Sequence, residues 1–166
     1  EIRYSDWSSD VCSSDLLTNM GGAEKVVINF KQIYESAPIY TVSYNEENLD
    51  PELQNIDVRT TFINDLPKGK TNHQMFLPFM PTAWEQLDFT DYDVVLSSSS
   101  SCAKGIITAP ETAHICYCHS PMRYAWEFYY EYMEREKLGK IKKKLIKYIM
   151  NYIRMWDRAS ADRVDY

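Results

Sequence analysis

Four short runs rich in β-branched and aromatic residues, "PIYTVSY" (38–44), "IDVRTTF" (56–62), "YDVVLSS" (92–98) and "AHICYCH" (113–119), punctuate the chain; an acidic loop separates the first two, and segments read as helical precede, separate and follow the others. Strands that alternate with helices in this way leave little choice of architecture. The connections are long enough for crossovers, so the strands run parallel and the helices cover both faces of one sheet. The expected class is therefore α/β, with a mostly parallel sheet.

The helical segments follow from apolar spacing. Val26, Val27, Phe30, Ile33 and Tyr34 mark a helix over 23–35. Residues 72–87 read as a helix in two pieces broken by Pro78 and Pro81. A short helix is expected near 102–107. Ser120 and Pro121 have the chemistry of an N-cap and first helical residue, so a helix is expected from Met122, with a break at Gly139 and a last long helix over 140–160. "ADRVDY" (161–166) reads as the start of a further strand.

The other end of the chain does not fit this pattern. "DWSSDVCSSD" (6–15) has no period, and its back-translation, GAC TGG AGT TCA GAC GTG TGC TCT TCC GAT, continues with CT into a Leu codon; this is the sequence of a common short-read library adapter. Residues 1–16 are accordingly expected to be a non-native, adapter-derived leader, set aside from fold reasoning. The domain is expected over 17–166, with the first strand of the sheet missing. The remaining 150 residues suffice for one domain, because chains of this size bury roughly 68–70% of their unfolded surface.

Charge is unevenly distributed. Residues 17–136 carry 8 basic and 17 acidic side chains, whereas 137–158 carry 8 basic and 1 acidic. An acidic body lacks the broad basic footprint that nucleic acid requires. The local run 138–158 is amphipathic, with Leu138, Ile141, Leu145, Tyr148, Ile149, Tyr152 and Trp156 on one side and lysines and arginines on the other. Such a helix suits either packing on the sheet or an anionic membrane surface. No segment approaches the ~20 apolar residues of a membrane span. Without Cys12, three clustered cysteines remain, which is not a disulfide framework and favours a reducing cytoplasm.

Three places carry candidate chemistry. Gly21 and Gly22 open the first helix, where free N–H groups and the helix dipole suit a phosphate; the plain alternative is a tight turn. His119 ends a strand just before a helix, the position at which open α/β sheets place ligands. Arg123, Tyr124 and Trp126 follow with a cation and aromatic faces for a phosphate and a sugar, or simply for packing. The serines 97–101 and Lys104 lie at the tip of the preceding strand, as anion contacts or as a polar loop. His114, Cys116 and Cys118 share a strand face, but same-face residues about 6.6 Å apart do not converge on one ion, so no metal site is expected and the cysteines are read as small core residues.

"LTNMGGAEKVV", "VVLSSSSSCAKGIIT" and "CYCHSPMRYAWE", in this order and at these separations, resemble the N-terminal half of glycosyltransferase family 4 enzymes, nearest to bacterial mannosyltransferase-like members that build capsule or O-antigen. The resemblance spans about 16–166. It implies the GT-B architecture, two Rossmann-like domains facing across a cleft, of which this would be the acceptor side. It further implies transfer, with retention, from a nucleotide sugar such as GDP-mannose to a glycan or lipid-linked acceptor, without a cofactor or bound metal, in the cytoplasm or at the inner face of the membrane. On this likeness Gly21 and Gly22 approach the donor phosphates, His119 is the catalytic histidine of the cleft, and Lys104, Arg123 and Tyr124 lie on the acceptor side. The donor domain with its Glu-x7-Glu region is absent from the sequence, so the fragment alone is expected to be inactive. The readings that compete with transfer are a sugar-nucleotide epimerase of the same architecture and a non-catalytic nucleotide- or membrane-binding module.

Overall fold

In a computed structural model, which describes residues 10–135 and 139–166, five strands form one all-parallel sheet. They are β1 (Asp10–Ser14), β2 (Ile39–Thr41), β3 (Val58–Thr60), β4 (Val94–Ser99) and β5 (Ala113–Cys118), in spatial order β3-β2-β1-β4-β5. The helices are α1 (Gly22–Ile33), α2 (Met80–Glu85), α3 (Tyr129–Arg135) and α4 (Lys140–Ser160). This is the expected Rossmann-like α/β fold.

Alternation along the strands assigns the two faces. Val11, Tyr40 and Val95 point into a cluster with Trp84 of α2, Ile153 and Trp156 of α4, and Ile106. Their neighbours Cys12, Ile39, Val94 and Leu96 point the other way, against Val27 of α1, Leu49 and Leu53. Each central strand is therefore buried on both faces, as a parallel sheet requires.

The expectation of a missing first strand is corrected. Residues 10–14, inside the segment set aside as a leader, pair with β2 on one side and β4 on the other and form the middle of the sheet. Val11 and Leu17 are fully buried. A central parallel strand usually reads as a run of Val and Ile, and "DVCSS" does not. The buried Asp10 Oδ1 and Ser13 Oγ have no hydrogen-bond partner, which is the physical mark of that mismatch.

Elsewhere the boundaries move modestly. Residues 73–79 form a 3-10 run containing Pro78, followed directly by α2, which carries Pro81 in its first turn where a missing N–H is tolerated. The short helix after β4 is a 3-10 turn, Ala103–Gly105. No helix starts at Met122: residues 123–128 are successive turns, with Phe128 N–H donating to Arg123 O, and α3 begins only at Tyr129. The break at Gly139 holds insofar as Gly139 is the N-cap of α4; residues 136–138, including Leu138, lie outside the described residues. Of "ADRVDY", Ala161–Arg163 form a 3-10 turn instead of a strand; only past it does the chain reach the sheet, where Tyr166 N–H donates to His114 O and Cys116 N–H donates to Tyr166 O at 2.8 Å, the hydrogen-bond pattern of a parallel neighbour. Among the described residues no helix is long and apolar enough to cross a membrane.

Candidate functional site

The order β3-β2-β1-β4-β5 reverses direction between β1 and β4, and the carboxyl ends of those strands flank the crevice in which open α/β sheets bind ligands. Three connections meet there. The β1–α1 connection begins with Asp15 and ends at Gly21 and Gly22, the turn 100–103 follows β4, and His119 follows β5.

The Asp15 carboxylate organises the crevice. Its Oδ2 accepts the backbone N–H groups of Ser100 (2.5 Å) and Ser101 (2.6 Å), and its Oδ1 accepts those of Cys102 (2.7 Å) and Ala103 (2.6 Å). Successive N–H groups wrapped around one anion form a nest, here filled from within the chain. The Ser100 hydroxyl adds a fifth donor at 3.2 Å.

At the start of α1 the Glu24 side chain folds back over the helix N-terminus. Its carboxylate faces its own N–H and that of the N-cap Gly21, the glutamate half of a capping box; glycine has no side chain to supply the other half. Burial raises the Glu24 pKa; those N–H groups and His119 act against the shift, and Asp15 reinforces it. Glu24 sits on the glycine turn that follows the carboxyl end of β1, and His119 on the carboxyl tip of β5, which runs parallel to β1 in the same sheet. The glycine bend and His119 therefore share one end of the sheet.

His119 is held from two sides. Its ring Nε2 lies 2.8 Å from Ser98 Oγ, and its N–H donates to Ser99 O at 3.0 Å. The Tyr117 ring, half exposed, meets the imidazole edge-on at 4.9 Å between centroids. This leaves an aromatic face beside an imidazole at the rim of the crevice.

The glycines themselves are not required by local geometry. Gly21 has an extended backbone, and a Cβ on Gly22 would meet nothing within 4 Å. A Cβ on Gly21 would meet only the movable Glu24 Oε2, at 3.0 Å. Open space at Gly22 is room for a ligand to reach the helix N-terminus.

The remaining candidates are engaged elsewhere. Lys104 Nζ is ion-paired with Asp157 of α4, which also accepts Trp126 Nε1–H at 2.8 Å, so this lysine ties the β4 loop to α4 and is not free for a ligand. The Tyr124 hydroxyl lies 2.7 Å from Ser101 Oγ, and burial pushes its pKa far above the phenolic range. Arg123 stacks over the Phe128 ring at 5.7 Å and is exposed. Cys118, read as a core residue, is exposed, because it ends β5, the edge strand of the five-stranded order; Cys116 is half-buried. Among the described residues no group of three or more His, Cys, Asp or Glu side chains is placed to hold a metal ion.

Sequence reasoning missed Asp15, because it lay in the segment set aside, and gave no role to Tyr117, which stands two residues before His119 and meets its ring. It quoted Glu24 but not its fold-back; the available signal was a glutamate three residues after the N-cap. No protein-family model, curated protein or solved structure matches the chain.

Proposed function

We propose that this chain is the acceptor-side half of a retaining glycosyltransferase of family 4 type, which moves a sugar from a nucleotide diphosphate donor to a glycan or lipid-linked acceptor in bacterial surface-polysaccharide synthesis. The observation that carries the reading is the topology: the glycine turn that follows β1 and His119 at the tip of β5 both lie at the carboxyl end of one parallel sheet, beside its switch point. The three motifs on which the family resemblance rests supply the loops that converge there.

On this reading the residues divide the work. The N–H groups opening α1, at Gly21 and Gly22, face charge that develops on the leaving diphosphate; preorganised donors of this kind are the strongest contributors to transition-state stabilisation. A phosphate arriving there displaces the Glu24 carboxylate from Gly21, and Glu24 gives way readily because burial already disfavours its charge. His119, oriented by Ser98, faces the reacting sugar, and the Tyr117 ring offers a platform for a sugar ring. Lys104 acts by holding the β4 loop against α4, and Arg123 and Tyr124 flank it on the acceptor side.

The crevice carboxylates give some support to a sugar-nucleotide epimerase, which needs an acid and a base. Asp15 is consumed by its four backbone donors, so only Glu24 remains for proton transfer, and the transferase reading is the better fit.

The test is a radiolabelled-sugar assay on the full-length gene product with several nucleotide sugars, with and without lipid-linked acceptor. Transfer that requires acceptor and falls at least 100-fold in His119→Ala supports the reading. Inversion of a sugar stereocentre without acceptor would assign the epimerase, and the absence of both activities with all donors would remove the enzymatic reading.

A further inference from the structure

The two faces of the sheet carry different surface features. Ser98, which holds His119, lies on the same face of β4 as Leu96, in the cluster that packs against α1. α4 covers the opposite face through Ile153 and Trp156. On that side, between α4 and the 123–128 turns, lies an open groove of about 480 Å³, within the roughly 300–1,000 Å³ of small-molecule sites.

The groove is built around the Trp126 ring. The indole N–H donates at 2.8 Å to Asp157, a buried carboxylate that also holds Lys104, so the ring is fixed in place while 45% of the residue stays exposed. A fixed indole open to solvent is a preformed contact surface, with little ordering left to do on binding. Met155 and Ala159 extend the apolar lining, and Asn151, Arg154, Arg158 and Asp162 supply its polar groups. Arg154 is engaged by Ala125 O at 3.0 Å and by the Tyr129 ring. Arg158 and Asp162 make no hydrogen bond or ion pair among the described residues, and Asn151 makes only a 3.9 Å contact to Met155 Sδ. Uncommitted polar groups of both kinds therefore stand beside the ring: a guanidinium that donates, a carboxylate that accepts, and an amide that does both.

We propose that this groove binds a neutral sugar residue of an oligosaccharide, stacked on Trp126 and hydrogen-bonded to Arg158 and Asp162, at a site separate from the His119 crevice. The C–H face of a pyranose suits the negative face of an aromatic ring. Its neighbouring hydroxyls, each a donor and an acceptor, match a guanidinium and a carboxylate together. An anion would meet Asp162 as a like charge, and a cation would meet Arg158, so the mixed lining selects an uncharged ligand. The inference goes beyond the sugar-transfer reading and does not rest on it, since binding in the groove is measured without turnover.

The experiment is titration of the full chain with mannotriose, maltotriose and cellotriose, followed through the indole N–H resonances of its four tryptophans. A saturable shift of the Trp126 resonance, assigned by its loss in Trp126→Phe, is expected with at least one of these sugars. Asp162→Ala and Arg158→Ala should each weaken binding about tenfold, the loss of a hydrogen bond to a charged group. Ala159→Phe, at an exposed position of α4, should abolish binding by filling the groove, with an unaltered unfolding midpoint. His119→Ala should leave the shift intact, because the crevice lies on the other face of the sheet. No shift with any of the trisaccharides, a shift undiminished in Ala159→Phe, or a shift lost in His119→Ala overturns the proposal. Binding of dextran sulfate but of no neutral sugar would assign the groove to anions and overturn it as well.

Discussion

Asp15 and Ala103 are joined across the switch point of the sheet, Oδ1 accepting the Ala103 N–H at 2.6 Å. The same carboxylate takes the N–H groups of Ser100, Ser101 and Cys102, so one side chain at the tip of β1 satisfies the backbone of the entire turn after β4. Removing it leaves four donors without an acceptor in a part-buried turn. Hydrogen bonds to a charged group contribute about 1.5–3 kcal/mol each when lost singly, and water recovers part of the loss here, so Asp15→Ala should destabilise by about 3 kcal/mol. Asp15→Asn, which retains one accepting oxygen, should cost about half. Urea unfolding of the three proteins checks the ranking.

Ser13 is the counterpart within the same strand. It is fully buried in β1, and its hydroxyl has no partner. Ser13→Ala removes that hydroxyl and leaves the backbone pairing to Tyr40 and Ser97 intact, so it should stabilise by about 1 kcal/mol. A higher urea midpoint with an unchanged slope is the expected result.

β1 also shows where the sequence ceased to be informative. β4 reads from "VVL" because three consecutive apolar residues bury on both faces, and α1 and α4 read from their 3.6-residue period. β1 has only Val11 and Cys12, and its place comes from β2 and β4, which offer unpaired edges on both sides; tertiary pairing overrides composition. The same held after Pro121. Good helix-start chemistry was present, yet Met122 and Ala125 are drawn into the core under α4, and the chain turns there instead of extending a helix. That Gly21, Gly22 and His119 lie at one end of the sheet was legible because strand tips and the helix starts that follow strands share one end of a parallel α/β sheet. The fate of Lys104 was not, since its partner Asp157 lies 53 residues away on α4.

His114 makes stability depend on pH. It is fully buried, and Nδ1 faces Arg163 O at 3.2 Å while Nε2 faces Ser97 Oγ at 2.9 Å. A carbonyl only accepts, so Nδ1 carries the proton and Nε2 accepts from Ser97. Burial lowers the His114 pKa below 6.5. The unfolded chain therefore takes up a proton that the folded one refuses: this group has no effect on stability above about pH 6.5, and stability falls as pH drops from there toward the lowered folded value. Urea unfolding at about pH 7.5 and about pH 5.5 should show a loss that is smaller in His114→Gln.

Gly105 ends the turn after β4 directly beneath Trp156. A Cβ there would lie 2.2 Å from Trp156 Cη2, and the indole cannot swing aside freely because its N–H is held by Glu85 Oε1 at 2.7 Å. Gly105→Ala should destabilise by about 1–3 kcal/mol through overpacking. The loss should shrink in a Trp156→Phe background, where the smaller ring vacates that space. A double-mutant cycle in urea measures the difference.

Gly22 presents the opposite case and separates fold from function. An added methyl meets nothing within 4 Å, and the position is the first residue of α1. Ala costs less backbone entropy than Gly in a helix, so Gly22→Ala should leave stability unchanged or raise it by up to about 1 kcal/mol. If a diphosphate approaches the α1 N–H groups, the same methyl stands in its path, and nucleotide-sugar affinity and transfer by the full-length enzyme should fall at least tenfold. A stable variant with impaired binding locates the ligand at this turn. Unimpaired binding and transfer would mean that the phosphates bind elsewhere, and that Gly22 contributes only a tight bend between β1 and α1.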